Sequence, residues 1–274
     1  MGLTIAYQMK VRTDAAGARR LVAAMHAAAS KLAFDKVSEV CEYDPPDGCY
    51  AFTKGDEDDR WRKPGWVYRT RKREDGLEEH VSVPSLHAMS FVGLTEGAES
   101  AEFGLASHPA VVVHHEDIVT YPSDCSESRE IGAGNAIEFP TRLRGWYSWS
   151  NFCKTQYAAK PDRGGAQNFL RAHLAVTGMV DECRRLGLTV KVLDDGGYWK
   201  HRNAQKLLEE LSKWDELIAG FVGRLSDSMG NRDGSIVAPI KERPDFEHLE
   251  AKGVERLDEI GRNGTKKRRR GRRK

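Results

Sequence analysis

The chain opens with large apolar residues at every second position from Leu3 to Val11. Because successive side chains of a strand point to opposite faces, this period of two predicts a strand with one buried face. Asp14 then suits a helix N-cap, and apolar residues recur at helical spacing to about Leu32. The apolar positions of 34–43 predict a second strand. Strand, helix and strand in this order predict a βαβ-like opening.

The middle of the chain has a less regular pattern. Short strands are predicted at 66–71, 79–83, 86–94 and 110–113, and loops at 44–60, 97–109 and 123–134. The glycine and proline residues of these loops are typical of turns. The order of the strands between residues 60 and 145 does not follow from the pattern.

The last third of the chain returns to clear periods. A helix is predicted from 165 to about 186, a strand over 188–193 and a further helix over 203–229. Both helices carry apolar residues at a period near 3.6, so each presents one face for packing. Beyond Pro239 the chain is highly charged and is expected to be extended, apart from a short helix at 254–260.

These elements predict an α+β fold for a single domain over residues 1–250. Its architecture is expected to be a mixed sheet with three principal helices packed on it. Residues 251–274 are expected to form a charged extension that ends in a disordered basic tail. A chain of 274 residues is long enough to bury a sizeable core.

The basic tail changes the meaning of the net charge. Eight of the 43 Lys and Arg residues lie in the last nine positions, so the +2 of the whole chain leaves −6 on residues 1–265. Like charges repel one another and keep such a segment disordered. It is expected to bind phosphate backbones of nucleic acid without sequence preference. The predicted contacts are Lys266, Lys267, Arg268, Arg269, Arg270, Arg272, Arg273 and Lys274.

Three other interpretations of the tail remain open. A cluster of this kind also serves as a localisation signal or contacts anionic lipid. A solubilising extension without any partner is the simplest alternative. No aromatic residue alternates with the cations, so base stacking by the tail is not predicted.

Cysteine usage and hydropathy indicate a cytoplasmic protein. The five cysteines are widely spaced and form no CxxC pair, which argues against a disulfide framework and against a zinc ribbon. No apolar run approaches the ~18–20 residues that span a bilayer. The first nine residues are too short and too polar for a secretory signal peptide. We therefore expect cytoplasmic localisation and no transmembrane segment.

The segment 145–157, GWYSWSNFCKTQY, places five aromatic residues beside a thiol, an ammonium and an amide. Aromatic rings can stack on planar ligands, and a neighbouring lysine can activate a thiol as a nucleophile. The candidate catalytic residues are therefore Cys153 and Lys154, and the candidate ligand contacts are Trp146, Trp149, Gln156 and Tyr157. The alternative is that the rings are core residues and that the thiol is inert.

The turn Asp194-Asp195-Gly196-Gly197 directly follows a predicted strand. Polar residues at such a strand end often line the ligand crevice in α/β layouts. The two carboxylates are candidate catalytic groups, and Trp199 is a candidate ligand contact. The alternative is an ordinary turn, since Asp and Gly are common turn residues.

Metal and cofactor motifs are weak or missing in the sequence. His114 and His115 are neighbours, and neighbours in a strand point to opposite faces, so they do not converge on one ion. We therefore predict no metal site. The run Gly132-Ala133-Gly134 lacks the third glycine of a dinucleotide fingerprint, and Walker A, HExxH and GxSxG sequences are missing. The sequence therefore identifies no cofactor.

Three short motifs resemble those of a family of uncharacterised bacterial proteins: MGLTI at 1–5, FCKTQY at 152–157 and DDGGYW at 194–199. The resemblance covers the first ten residues and about 145–250. Members of that family often carry a histidine just after the opening run, where this chain has Ala6. The family has no known activity, so the resemblance implies a bacterial origin and no particular reaction.

Two classes of function follow from these features. The first is a small-ligand-binding protein or an enzyme, with a pocket between 145–157 and 194–199. The second is a nucleic-acid-associated accessory protein that binds phosphate backbones through its tail. An interaction module without a small-molecule site is a third reading of the same sequence. The residues do not decide whether the protein is an enzyme.

Overall fold

A computed structural model describes residues 3–43, 65, 67–73, 76–120, 130–229 and 239–271 of the chain. Within these ranges the strands are β1 (Thr4–Arg12), β2 (Lys36–Val37), β3 (Cys41–Tyr43), β4 (Val67–Lys72), β5 (Glu78–Val83), β6 (His87–Leu94), β7 (Ala101–Ser107), β8 (Val111–Thr120), β9 (Glu130–Pro140), β10 (Trp146–Lys154) and β11 (Thr189–Asp194). The helices are α1 (Ala15–Ala29), α2 (Gly165–Arg185), α3 (Tyr198–His201), α4 (Ala204–Met229) and α5 (Phe246–Gly271). Further 3₁₀ segments cover Thr155–Ala159, Pro161–Arg163 and Pro239–Glu242.

The largest sheet has the order β11-β1-β10-β7-β6-β2, and β3 also pairs with β6. Strand β1 is antiparallel to β10 from Thr4↔Lys154 to Arg12↔Trp146, and antiparallel to β11 on its other side. Two hairpins, β4–β5 and β8–β9, form separate ladders. The first strand of the chain is therefore held between two strands from its second half.

One face of this sheet forms the core with helices α1 and α2. Ile5, Tyr7 and Met9 of β1 are at most 2% exposed, and they belong to one apolar cluster with Val22 and Met25 of α1. Asp14 caps α1 by accepting a hydrogen bond from Gly17 N at 2.7 Å, as its position in the sequence predicts. Each fully buried aliphatic side chain contributes about 1.5–3 kcal/mol, so this layer is the main source of stability.

In the ladder, strands β7 and β10 pair at two positions, Tyr147↔Ser107 and Ser148↔Ala106. The carbonyl of Glu102 in β7 accepts hydrogen bonds from Tyr7 Oη at 2.7 Å and from Trp149 Nε1 at 3.1 Å. Asn151 Nδ2 donates to the Glu102 carboxylate at 3.1 Å, and Ser90 Oγ donates to it at 3.0 Å. Side chains of the core thus satisfy the backbone carbonyl and the carboxylate of Glu102, which lies beyond the paired positions.

A second apolar cluster joins α4 to the rest of the domain. Leu3, Phe169, Leu207 and Leu211 form its buried members, and through them α4 packs on α2. On its other side, α4 packs along α5, and the two helices meet where a Cβ added at Gly253 would overlap the backbone of α4. Glycine is therefore needed at this crossing.

The structure confirms the α+β fold and the three predicted helices, which are α1, α2 and α4. It corrects two finer points of the architecture. Every ladder in the described ranges is antiparallel, so the sheet is not mixed. β2 pairs with β6 and not beside β1, so the opening is not a βαβ unit. Sequence order alone could not distinguish these pairings.

The charged C-terminal region differs from its predicted form. Helix α5 begins at Phe246 and runs to Gly271, across the predicted boundary at residue 250 and well beyond the predicted short helix. Leu249 and Gly253 are buried where α5 meets α4, so tertiary packing stabilises a helix that its high charge concealed. β9 likewise begins at Glu130, inside the predicted loop at 123–134. The division into a domain and an extension, and the disorder of the tail, remain predictions.

Candidate functional site

The aromatic segment 145–157 consists mainly of β10, and its side chains divide between the two faces of the sheet. Trp149 is 2% exposed and belongs to the core. Trp146 lies on the opposite face beneath Lys10, whose Nζ is 4.7 Å from the ring centroid. Phe152 also lies on that face and is 46% exposed. The segment is therefore a core anchor on one side and a surface on the other.

Cys153 is a buried thiol. It is 1% exposed, and its Sγ donates to the carbonyl of Glu99 at 3.0 Å. Burial, together with the nearby Glu99 carboxylate, raises the pKa of Cys153 to about 12. The thiolate, which is the nucleophilic form, is scarce at neutral pH in such an environment. The catalytic role of Cys153 stays a prediction that its surroundings do not favour.

Lys154 forms an ion pair with Glu99 at 3.1 Å. The hydrogen bond and the charge of Glu99 raise the pKa of the ammonium, so it stays protonated. Its Nζ also lies 5.7 Å from the ring centroids of Phe152 and Tyr157. The charge is therefore directed towards Glu99 and the two rings, and not towards the Cys153 thiol.

The two predicted candidate segments approach each other across β1. Cys153 and Asp194 are both paired with Ile5, so their Cα atoms lie two strand spacings apart, about 10 Å. The fully buried side chain of Ile5 stands between them. Asp195 is exposed, and Trp199 stacks under Arg202 at 4.2 Å. Ile5 therefore separates Cys153 from Asp194, and the predicted pocket that would join the two segments does not form between these residues.

Asp194 instead belongs to a buried chain of polar side chains. Its Oδ1 lies 3.3 Å from His173 Nε2, and the side chains are 2% and 0% exposed. His173 Nδ1 forms a hydrogen bond with Thr155 Oγ1 at 2.9 Å. The carboxylate also accepts from Gly196 N at 2.9 Å and from Trp199 N at 2.7 Å.

The environment of Asp194 favours the charged form of its carboxyl. Burial acts to raise the pKa, but His173 and the two backbone amides act more strongly in the other direction, so the pKa lies below its usual value. The network joins the end of β10, helix α2 and the turn after β11. Because all three side chains are shielded from solvent, we interpret it as structural.

A cavity of about 160 Å³ lies on the outward side of β11, β1 and β10, where β4 passes over the sheet. This is roughly five times the share of liquid volume that one water molecule occupies. Its polar lining includes the cations Lys10, Arg69 and Lys191, the hydroxyls of Ser148, Ser150 and Thr189, and the amide of Gln8. None of the described residues that line it is acidic.

Two polar atoms of this lining are buried without a partner. Arg69 Nε and Ser148 Oγ are shielded from solvent and make no hydrogen bond within the described part of the protein. An arginine Nε can only donate, so it requires an acceptor. Buried donors are nearly always satisfied in folded proteins. The two atoms therefore indicate an acceptor that the described part of the chain does not supply.

A larger cleft of about 450 Å³ lies between the 3₁₀ segments after β10 and helix α4. Gln156 and Tyr157 line one wall, and Asp215, Ile218 and Arg243 line another. Arg243 Nη1 donates to Asp215 Oδ2 at 2.7 Å. Burial raises the pKa of Asp215, and Arg243 opposes this shift only in part. Asp215 and Arg243 of this cleft are thus already paired with each other.

The structure distributes the predicted site residues over these regions. Trp149 lines the smaller cavity, and Gln156 and Tyr157 line the larger cleft. Lys10, Arg69 and Lys191 were missed, because cations at outward strand positions are ordinary in sequence. The tail side chains from Lys266 onwards and the side chains of His114 and His115 lie outside the described ones. In the parts that are described, no group of three His, Cys, Asp or Glu residues could hold a metal ion.

The helices were compared with the length and hydropathy of a membrane span, and the chain was compared with known proteins. No helix in the described ranges is both long and apolar enough to cross a membrane. Comparison of the chain with protein-family models, with curated proteins and with solved structures found no match. The resemblance to bacterial proteins and the cytoplasmic localisation therefore stay predictions.

Proposed function

We propose that the protein binds a small anionic molecule, with more than one negative charge, in the cavity between β4 and the outward side of the sheet. The observation that carries this proposal is the unpartnered, buried Nε of Arg69 beside two further cations. A water molecule could accept one hydrogen bond there. An anion also balances the charges of Lys10 and Lys191, and is therefore the better acceptor.

The charges around the cavity support an anion over a neutral ligand. Among the described residues, Lys10, Arg69 and Lys191 form no ion pair, whereas cations elsewhere, such as Arg243, are paired with carboxylates. The hydroxyls of Ser148 and Ser150 add donors for the oxygens of a phosphate group. Three cations and several hydroxyls match a phosphate better than a single carboxylate.

The apolar part of the lining suggests that the phosphate belongs to an organic molecule. Val67, Tyr68 and Leu143 line the same cavity. Tyr68 is 70% exposed, so its ring is accessible to a ligand that extends out of the cavity. Mostly apolar walls with a few polar groups that orient the ligand are typical of small-molecule sites.

Calorimetric titration with pyrophosphate at low ionic strength tests the proposal. The intact protein should bind it, and Arg69→Met should weaken binding at least about tenfold, the effect of losing one charge-assisted hydrogen bond. Arg69→Lys keeps the charge but loses the buried donor, and should bind with intermediate affinity. Lys31→Met is the matched control, since Lys31 is an exposed cation just after α1 on the other face of the sheet.

Two results would overturn this assignment. One is a lack of binding by the unmodified chain in dilute buffer. The other is equal affinity of the Arg69→Met and Lys31→Met proteins, both with unchanged unfolding midpoints. Either result would leave the cavity without a ligand of this class.

Nucleic-acid binding by the basic tail remains a separate hypothesis. It rests on the eight cations in the last nine residues, whose side chains lie outside the described ones. It predicts a weak interaction that falls steeply with salt and needs residues 266–274. Pyrophosphate binding at Arg69 neither requires the tail nor depends on it.

A further inference from the structure

The cavity occupies one end of a wider exposed surface, the outward side of β11, β1 and β10. We call this surface the outer face. Pairing across the strands sets its residues in rows, such as Ser150–Gln8–Lys191 and Ser148–Lys10–Thr189. No helix of the described chain packs on these rows, and most of their side chains are exposed. A face left open in this way is available to a partner.

The outer face is cationic at the end that holds the cavity. Lys10, Arg12 and Lys191 project from it, and Arg69 approaches from β4. All three strands lie within the described residues, and none of their outward positions is acidic. Past the far end of this face, Glu99 pairs with Lys154, and Asp195 follows β11. Residues 1–265 together carry −6, so this positive end is a local exception.

An apolar row crosses the outer face next to these cations. Phe152, Ala6 and Leu193 are directly paired, and Phe152 and Leu193 are 46% and 68% exposed. Phe152 lies four residues along β10 from Ser148 of the cavity, which corresponds to about 13 Å. Tyr68 supplies a second exposed ring at the cavity itself. Two accessible rings therefore flank a positively charged strip.

We propose that the outer face binds single-stranded nucleic acid, with a phosphate in the cavity and unpaired bases stacked on Tyr68 and Phe152. This inference rests on the proposed function, because the cavity must accept a phosphate group. Sheet faces that bind single strands combine a basic track with aromatic rings on which bases stack. A lipid surface would not need rings beside a closed phosphate site, and an acidic peptide would leave the rings without planar partners.

The test measures fluorescence anisotropy of a labelled twelve-nucleotide oligothymidylate. The full-length chain is used with its eight tail cations replaced by Gln, so that the tail contributes no charge. Phe152→Ala should weaken binding about tenfold, the usual effect of losing one base–ring stack. Phe221→Ala is the matched control, since Phe221 is 58% exposed on α4, away from this face. A duplex of equal length should bind more weakly than the single strand.

Pyrophosphate binding by the same variants separates the two proposals. Arg69→Met should weaken both ligands and should lower the salt dependence for the single strand by about 0.7 on a log–log plot. Phe152→Ala should weaken only the oligonucleotide. If pyrophosphate binds through Arg69 but Phe152→Ala and Phe221→Ala bind the strand equally, the inference is overturned and the proposed function stands.

Other outcomes count against the inference directly. Loss of all oligonucleotide binding when the tail is neutralised would assign nucleic acid to the tail alone. Binding of the single strand without any effect of Arg69→Met, and without pyrophosphate binding, would overturn both proposals. Tighter binding of the duplex would also contradict a surface that stacks unpaired bases.

Discussion

His173 Nε2 lies 3.3 Å from Asp194 Oδ1, and both side chains are almost completely shielded from solvent. The two residues come from α2 and from the end of β11, and Thr155 extends the contact to the segment after β10. A buried pair of this kind is costly to disrupt, because removal of one partner leaves the other buried and unpaired. Asp194 is therefore expected to matter for stability and not for ligand binding.

Asp194→Asn should lower the free energy of unfolding by about 3 kcal/mol at pH 7, as expected for a broken buried pair. Urea unfolding followed by circular dichroism measures this. Asp195→Asn is the control, since Asp195 is the exposed neighbour and should shift stability by less than about 0.5 kcal/mol. Equal effects of the two substitutions would contradict the buried pair.

The same pair has a defined pH dependence. The folded pKa of Asp194 lies below its usual value, so the ionised carboxyl stabilises the protein above the unfolded pKa of about 3.9. That contribution is lost as pH falls through the folded pKa. The stability difference between the unmodified protein and Asp194→Asn should therefore shrink as pH falls below about pH 4. A difference that grew on acidification would refute this sign.

Asp215 should behave in the opposite way. Burial raises its pKa despite the hydrogen bonds from Arg243 and Gln156, so the ionised form is disfavoured in the folded state. Its ionisation lowers stability as pH rises through the folded pKa. Asp215→Asn should leave the unfolding midpoint at pH 7 unchanged or higher, because Arg243 keeps both hydrogen bonds to Asp245 at 2.9 Å. A loss above about 1 kcal/mol would show that the pair is net stabilising.

Thiol labelling distinguishes a reactive cysteine from a buried one. Burial raises the pKa of Cys153 and of Cys183 to about 12, whereas Cys41 is exposed. Under native conditions a maleimide should modify Cys41 within minutes and leave the other two unmodified until denaturant is added. Peptide mass mapping locates the label. Labelling of Cys153 as fast as Cys41 would revive its candidacy as a nucleophile.

The crossing of α4 and α5 predicts a sharp difference between two glycines. A Cβ at Gly253 would overlap Glu216 O, whereas one at Gly178 in α2 would meet only the flexible end of Leu32 at 3.2 Å. Gly253→Ala should cost about 1–3 kcal/mol through overpacking. Gly178→Ala should be neutral or slightly stabilising, since alanine is the better helix former. Similar midpoints for both variants would argue against the close approach.

Local periodicity was sufficient to predict β1, α1, α2, β11 and α4, because each has an apolar face that its own spacing reveals. Only a short helix at 254–260 was predicted where α5 runs from Phe246 to Gly271, because the high charge of this region hides its apolar face. Its contact with α4 also rests partly on Gly253, which carries no side chain that a pattern could reveal. The antiparallel pairing of β1 could not be predicted either. It pairs Thr4 with Lys154, and a local hydrophobic pattern does not indicate which distant strand will pair with β1.

The candidate site, like the fold, was predicted only in part from the sequence. The rings of 145–157 identified a segment that contributes Ser148 and Trp149 to one cavity and Tyr157 to the other. The charges beside them could not be predicted, because Lys10, Arg69 and Lys191 are separated by long stretches of sequence. Only the fold brings them to one place, and only the three-dimensional structure shows that Arg69 Nε is buried with no acceptor among the described residues.

The odd-numbered and the even-numbered residues of β1 have different roles, because they lie on opposite faces of the sheet. Its odd residues, such as Ile5 and Met9, are inside the protein, and its even residues, such as Gln8 and Lys10, face outwards. If the cavity binds the proposed anion, substitution at an even position should change ligand preference without loss of folding. A slip of one residue against β10 would turn the inward residues outwards and the outward residues inwards, so the buried core and the cavity lining would be lost together. Under the proposed function, the outward positions of β1 can therefore change in evolution, whereas its strand register cannot.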